Sequence, residues 1–210
     1  DFLVDTTWTH LPGGVSAYVD HVARSLRGPV RLNARIRGVL RGDDAVTVRD
    51  AAGYDERFDA VVLAVPPHRV LPLLLDATAL EHQRWSAWQG GVVETVLHTD
   101  TGLYARRGVR WFTEFDLFER ADGGFGYNAY LNRLAGLDTH DAPHYALAFQ
   151  LDHELDAARV LHRQAHDVAW YTQEALAWRP AIERAQGERR TWIVGAFLGF
   201  IGAFGTLHIP

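Results

Sequence analysis

Residues Phe58-Asp59-Ala60-Val61-Val62-Leu63-Ala64-Val65-Pro66-Pro67 form an apolar run too continuous for a half-exposed sheet, where apolar and polar side chains alternate. A strand of this composition suits burial on both faces, as in a parallel sheet covered by helices. Pro66-Pro67 ends it, because proline contributes no N–H to a ladder and restricts the residue before it.

The flanking patterns differ from this run in period. Gly13-Gly14 precedes Val15, Tyr18, Val19, Val22 and Leu26, apolar at helical spacing, with Asp20 and Arg24 on the other face. Val30, Leu32, Ala34 and Ile36 then alternate with Arg31, Asn33, Arg35 and Arg37, the period of a strand, and Gly38 shifts the phase. Turns at Arg41–Asp44 and Ala51–Gly53 separate strands at Ala45–Arg49 and Tyr54–Phe58, giving a small antiparallel meander. Beyond Pro67, helices are predicted at Val70–Leu75 and Leu80–Trp88, with Gly90-Gly91 as a break. Val92–His98, Val109–Phe115, Phe125–Leu131 and Tyr145–Leu151 are rich in β-branched and aromatic residues and predict an antiparallel sheet. Helices are expected from Glu154 to about His166 and near Thr172–Trp178, before a strand-like Thr191–Phe197 and then Gly199, Gly202 and Gly205. The fold class is α/β to α+β.

Composition narrows the chemistry. The 210 residues are 48% hydrophobic and 22% charged, a globular balance with room for one domain or two small ones. With no Cys there is no disulfide, thiolate zinc site or Cys nucleophile. Every basic residue is Arg, which excludes lysine Schiff bases and the P-loop lysine. A formal charge of −5 without a basic run argues against nucleic-acid binding. The opening Asp1-Phe2-Leu3 has no signal-peptide pattern, and a cytoplasmic location is expected.

Isolated catalytic motifs have structural explanations beside them. Gly14-Val15-Ser16-Ala17-Tyr18 lacks the second glycine of a nucleophile elbow, so Ser16 is a first-turn helix residue. His162 and His166 would share a face of a helix, as would His140 and His144 but for Pro143, yet no His-Glu-x-x-His pattern accompanies them and no metal site is assigned. His98 and Asp100 could form an acid/base pair, or Asp100 could close an Asx-type turn. The uncharged Thr191–Pro210 run follows Arg189-Arg190 and contains Gly195-x-x-x-Gly199, so a membrane anchor is one alternative; four Gly in eleven residues favour a buried strand leading into a glycine-rich loop. The aromatics Trp85, Trp88, Trp111, Phe112, Phe115, Phe118, Tyr127 and Tyr130 belong to a sheet core, one face of which could line an apolar substrate pocket.

Taken in order, these segments resemble the flavin-containing amine oxidase superfamily, in particular its bacterial branch of predicted NAD/FAD-binding proteins. Trp8-Thr9-His10-Leu11-Pro12-Gly13-Gly14-Val15-Ser16-Ala17-Tyr18-Val19 is similar to that family's Gly-Gly helix start. Val30–Val39 resembles its strand before the adenine contact, and Phe58–Pro67 its "fD-x-VV-x-A-x-PP" strand. Val96–Asp100 and Tyr130–Leu134 resemble two marks of the bacterial branch, and Arg190–Phe197 the strand entering the C-terminal flavin loop.

The resemblance implies FAD held between a cofactor domain, here residues 1–67 and 190–210, and an antiparallel-sheet substrate domain with helices, here 68–189. It implies hydride transfer to flavin from a small apolar or amine-bearing substrate, with reoxidation by oxygen or another acceptor. By position it places Gly13 and Gly14 at the cofactor, Ile36 backbone groups at the adenine, and Gly195 and Gly199 near the flavin ring. The family's Gly-x-Gly-x-x-Gly unit is absent from these residues, and Gly205-Thr206-Leu207-His208 runs into Ile209-Pro210 where the family continues Phe-His-Glu-Asp-Gly. The expectation is therefore a piece of a larger flavoprotein, inactive and poor at holding FAD by itself. The alternative is a non-catalytic ligand- or partner-binding domain on the same scaffold.

Overall fold

The computed structural model describes residues 11–110, 112–137 and 143–199. Helix α1 (Gly14–Ser25) precedes strands β1 (Ile36–Arg41), β2 (Val46–Asp50), β3 (Asp55–Phe58) and β4 (Val61–Leu63). A 3-10 turn at Pro67–Arg69 enters α2 (Val70–Leu73), followed by α3 (Ala79–Ser86), β5 (Gln89–His98) and α4 (Gly102–Ala105). Next come β6 (Phe115–Glu119), β7 (Phe125–Tyr130), α5 (Leu131–Leu134) and β8 (Ala146–Phe149). The remaining elements are β9 (Val160–Trp170), α6 (Gln173–Ala177), α7 (Arg179–Arg184), β10 (Thr191–Ile193) and a 3-10 turn at Ala196–Leu198. The chain divides into two compact units, Asp1–Val30 with Val92–His166, and Arg31–Gly91 with Asp167–Pro210.

The unit containing Arg31–Gly91 carries the meander β1-β2-β3 and a parallel pair of β4 with β10. Parallel pairing is what the apolar run predicts, with Val61, Val62 and Leu63 opposite Thr191, Trp192 and Ile193. Burial on both faces is not found: Leu63 is 6% exposed but Val62 is 60% exposed. A bulge between Ile36 and Gly38 shifts the register of β1 against β2, and a Cβ on Gly38 would lie 2.5 Å from the Leu75 side chain. The strand expected from Val30 starts only at Ile36, because Asn33 (φ 58°) and Arg35 (φ 51°) have left-handed backbones that a strand cannot hold. Val39, Val46, Val70, Trp85, Ile182 and Phe197 are among the residues of this unit's core.

A buried ion network joins three parts of that unit. The Arg41 side chain, 1% exposed, donates through Nε to Asp76 (3.0 Å) and through both terminal nitrogens to Glu81 (2.5 and 2.9 Å). Glu81 also completes a capping box with Thr78 at the start of α3. Arg189, just before β10, reaches Asp76 at 2.5 Å.

The other unit is built on an antiparallel sheet of order β6-β7-β8-β5-β9. Val96, Phe118 and Ala148 project to one face, where Leu103 and Tyr104 of α4 and Leu151 complete a core. The segment Val109–Phe115, expected as a strand, enters the ladder only at Phe115. The largest departure is Glu154–His166, expected as a helix: after 3-10 turns at Asp152–Glu154 and Ala157–Arg159 it is β9. Helix-forming Arg, Gln and Ala give way here to long-range pairing, as Arg163 bonds Glu94 (2.6 Å), His166 Nε2 bonds Thr95 Oγ1 (2.8 Å) and Thr99 N–H donates to the Arg159 carbonyl (2.9 Å). Pro180 sits in the first turn of α7 and starts that helix, consistent with its missing N–H. No residue of α1 is buried, and Val15 on its apolar side is 76% exposed.

Candidate functional site

Strand alternation puts apolar residues on both faces of the five-stranded sheet, and among the described residues a packed core covers one of them. On the open face Phe115 stands beside Ala129, Leu117 beside Tyr127, and Tyr127 beside Phe149. Tyr127 and Phe149 stack with centroids 5.0 Å apart, and Phe115 meets Tyr127 edge-on at 6.4 Å. Leu117 is 72% exposed and Phe125 58%. The Thr95–His166 hydrogen bond lies on the same side, since Thr95 pairs with Phe149. An exposed apolar face of this kind marks a surface that a ligand or another part of a protein covers.

Beneath the sheet runs a buried hydrogen-bond relay. His98 Nδ1 accepts the Asp100 backbone N–H (3.1 Å), which leaves the proton on Nε2, 2.8 Å from Asn128 Oδ1. Asn128 Nδ2 donates to the Tyr104 hydroxyl (2.8 Å), which donates to Asp116 (2.7 Å). His98 and Asn128 are fully buried. Burial pushes the imidazole pKa down against the opposing pull of Asn128 and the Asp100 charge, and pushes the Tyr104 hydroxyl well up. Of the two readings of His98 and Asp100, the Asx-type turn closed by Asp100 forms, and the ring does not pair with the Asp100 carboxylate. The Asp100 carboxylate instead accepts from Gly102 N–H (2.8 Å), Asp156 N–H (3.0 Å) and Arg106 (3.4 Å). Burial alone would raise its pKa; these donors hold it below the usual carboxylate range.

The expected cofactor residues fall in both units. Gly13 and Gly14, both left-handed (φ 83° and 75°), open α1, where Ser16 Oγ donates to the Gly13 carbonyl (3.4 Å) as a first-turn residue does. Ile36 opens β1, the outer strand of the meander, whose far edge is engaged at Val39 by Leu75 N–H (3.0 Å). Gly195 and Gly199 flank the 3-10 turn after β10, and a Cβ on Gly195 would sit 3.0 Å from the Phe197 ring. The membrane-helix alternative fails for the described part of its segment, which is a strand and a turn, and no described helix is long and apolar enough to cross a membrane. His162 and His166 share a strand face four residues apart, roughly 13 Å, so they cannot hold one metal ion. Trp8, Trp111, His140, Gly202 and Gly205 lie outside the described residues.

Two constellations carried no sequence signal. His68 Nε2 and Arg69 Nε grip the two oxygens of Asp167 (2.8 and 2.7 Å), and the His68 ring lies flat on Gly90, where a Cβ would come within 2.4 Å of it. Tyr171, Trp88 and Phe197 form an aromatic cluster, and the Arg179 guanidinium carbon lies 5.9 Å from the Tyr171 centroid.

Among solved structures, the chain is similar to a CLA-producing fatty acid isomerase from P. acnes, with 18% identity and a TM-score of 0.60 over 91% of this chain and 48% of that one. Putrescine oxidase bound to putrescine matches at 13% identity and a TM-score of 0.57, covering 89% and 48%. Cyclohexylamine oxidase from Brevibacterium oxydans IH-35A matches at 12% and 0.57 with the same coverage. The chain thus spans about half the length of these structures, and at such identities they show the fold alone. No curated protein matches. The family model of flavin containing amine oxidoreductases matches residues 4–151, and with that extent of the sequence accounted for, the chain belongs to this family.

Proposed function

We propose that the chain is part of an FAD-dependent oxidoreductase of the amine-oxidase type, acting on a small apolar or amine-bearing molecule in the cytoplasm. FAD is the cofactor that the family implies. The open aromatic face of the five-stranded sheet carries the reading, because it supplies a substrate platform backed by a rigid, fully bonded core.

In this reading residues 1–67 and 190–210 are the cofactor-domain portion and 68–189 the substrate domain. The described residues fit part of the cofactor: the edge of β1 at Ile36 offers backbone groups to the adenine, and the side-chain-free positions Gly195 and Gly199 permit close approach of the ring. Gly13 and Gly14 free the backbone at the start of α1 for the same ligand. A Gly-x-Gly-x-x-Gly cradle for the pyrophosphate is not among these residues. When bound, FAD accepts a hydride; the chain's part is to orient the substrate and exclude water. Phe115, Leu117, Tyr127 and Phe149 do this by contact, while His98, Asn128 and Tyr104 hold the sheet from below.

Reconstitution with FAD of the full-length protein of which this chain is read as a part, followed by anaerobic addition of aliphatic and aromatic amines, tests the reading. Bound yellow flavin that bleaches with an amine is the expected result, and Tyr127→Ala should weaken bleaching without lowering flavin content. A protein that takes up no flavin refutes it. The alternative, a cofactor-free binding domain, predicts ligand binding at the aromatic face with no flavin retained.

A further inference from the structure

The pair His162 and His166 stands out in the sequence, and the flavin reading uses neither residue. In β9 the half-buried His166 bonds through Nε2 to Thr95 Oγ1 at 2.8 Å, and its Nδ1 pairs with no described residue. The buried unpaired side-chain nitrogens among the described residues belong to His68, Arg84, Trp88 and Arg179, so Nδ1 of His166 opens to solvent. One edge of the ring is thus fixed by the sheet and the other is presented outward.

Register carries this imidazole to one end of a row of side chains. Thr95 stands opposite Phe149, Phe149 opposite Tyr127 and Tyr127 opposite Leu117, so the row crosses β5, β8, β7 and β6 on the open face. With neighbouring strands about 4.8 Å apart, Thr95 and Leu117 are separated by roughly 14 Å. Tyr127 lies stacked on Phe149 with centroids 5.0 Å apart, and Leu117 at the far end is 72% exposed. The neighbouring row, from Leu97 through Leu147 and Ala129 to Phe115, is apolar throughout. Neither row contains a charged side chain. Hydrogen-bonding capacity is therefore gathered at the Thr95–His166 end, with the Tyr127 hydroxyl as the one other polar group in the two rows.

We propose that His166 anchors the polar end of a molecule with a single N–H-bearing head and an apolar or aromatic body. Thr95 Oγ1 accepts the Nε2 proton, which leaves the Nδ1 lone pair to accept from the head. The body runs from Phe149 over Tyr127 toward Leu117. A second charged end would lie along the row against apolar side chains with no counter-charge, at a desolvation cost, so diamines are disfavoured. The proposal deepens the reading of this face as a substrate platform and rests on it.

Binding of phenethylamine, propylbenzene and hexamethylenediamine to the full-length protein, flavin-free and FAD-loaded, tests the anchor. Affinity is measured by equilibrium dialysis, and the imidazole carbon–proton signal of His166 is followed by NMR. Phenethylamine should bind most tightly of the three and move that signal, whereas propylbenzene should leave it in place. His166→Phe, which keeps a ring but loses the acceptor, should weaken phenethylamine by about tenfold or more and leave propylbenzene unchanged. His166→Gln should recover part of the loss. A merely structural role would weaken both ligands alike, and that result overturns the proposal. So does a parent protein that binds propylbenzene or the diamine as tightly as phenethylamine. Flavin uptake and bleaching by amines with a His166→Phe variant of unchanged preference would sink the anchor and leave the flavoprotein reading standing. Binding that depends on His166 in a protein retaining no flavin would uphold the anchor and sink the flavin step. If none of the three ligands binds, the anchor and the platform fall together. Should His166→Phe fail to fold, the His166 signal of the parent decides: movement with phenethylamine alone supports the anchor, and no movement overturns it.

Discussion

Replacing Arg41 by Met removes the centre of the buried ion network and leaves the hydrocarbon stem. Asp76 keeps a counter-charge in Arg189 at 2.5 Å, whereas Glu81 is left with Arg189 at 3.7 Å, so the loss falls on Glu81. Burial alone would raise the Glu81 carboxyl, but Arg41 and the Thr78 N–H and hydroxyl hold it down at about 2 against an ordinary 4.5. With a side chain only 16% exposed, that difference corresponds to about 3 kcal/mol at pH 7. A carboxylate depressed in the folded state contributes this stability above its unfolded pKa and loses it as pH falls through the folded value. At pH 3 about 1 to 1.5 kcal/mol remains by the same linkage. Urea unfolding followed by the fluorescence of Trp85, in the core of the same unit, should therefore give a parent-minus-variant gap of about 3 kcal/mol at pH 7 that falls by at least half at pH 3. A gap under about 1 kcal/mol at pH 7, or one that stays constant between the two pH values, would refute the argument.

Asn128→Leu strands the His98 Nε2–H and takes from the Tyr104 hydroxyl the donor it accepts, and should cost about 2–4 kcal/mol in denaturant unfolding. In the parent chain the lowered His98 pKa means that the unfolded imidazole, titrating near 6.5, takes up a proton that the buried ring resists; stability should fall as pH drops below that value and should fall less in His98→Gln. Gly90→Ala drives a methyl to 2.4 Å from the His68 ring and should cost about 1–3 kcal/mol, most of it recovered in a His68→Ala background; equal costs in both backgrounds would rule out the clash.

The legible parts of the fold are those where local composition and final pairing agree. β5, β7 and β8 are rich in β-branched and aromatic residues, β7 and β8 pair as successive strands, and β4 declares itself by apolar continuity; β5 forms as expected although its partner β8 comes three strands later. β9 was hidden because its residues form helices readily, and only the distant Glu94 and Thr95 hold it extended. At the candidate site the Asx-type turn at Asp100 was legible, but not that the His98 ring would take the Asp100 backbone N–H or that Asp156 and Arg106 would share the carboxylate, since both come from distant or side-chain partners. Trp85 and Trp88, expected with the aromatics of the sheet core, lie instead in the core of the unit that carries the meander, a choice made by packing rather than by local composition.

The parallel pairing of β4 with β10 sets an order of events during synthesis. Between the end of β4 at Leu63 and the start of β10 at Thr191 lie 127 residues of chain. At ribosomal speed the apolar edge of β4 is made roughly 10 s before its partner exists. In that interval Leu63 and its neighbours lack the strand that pairs with them among the described residues, while the intervening sheet, made wholly of residues before Thr191, can already close. The segment that announces the fold most clearly in the sequence is thus among the last to be secured, and a nascent chain arrested before Thr191 would present that edge to chaperones or to other copies of itself.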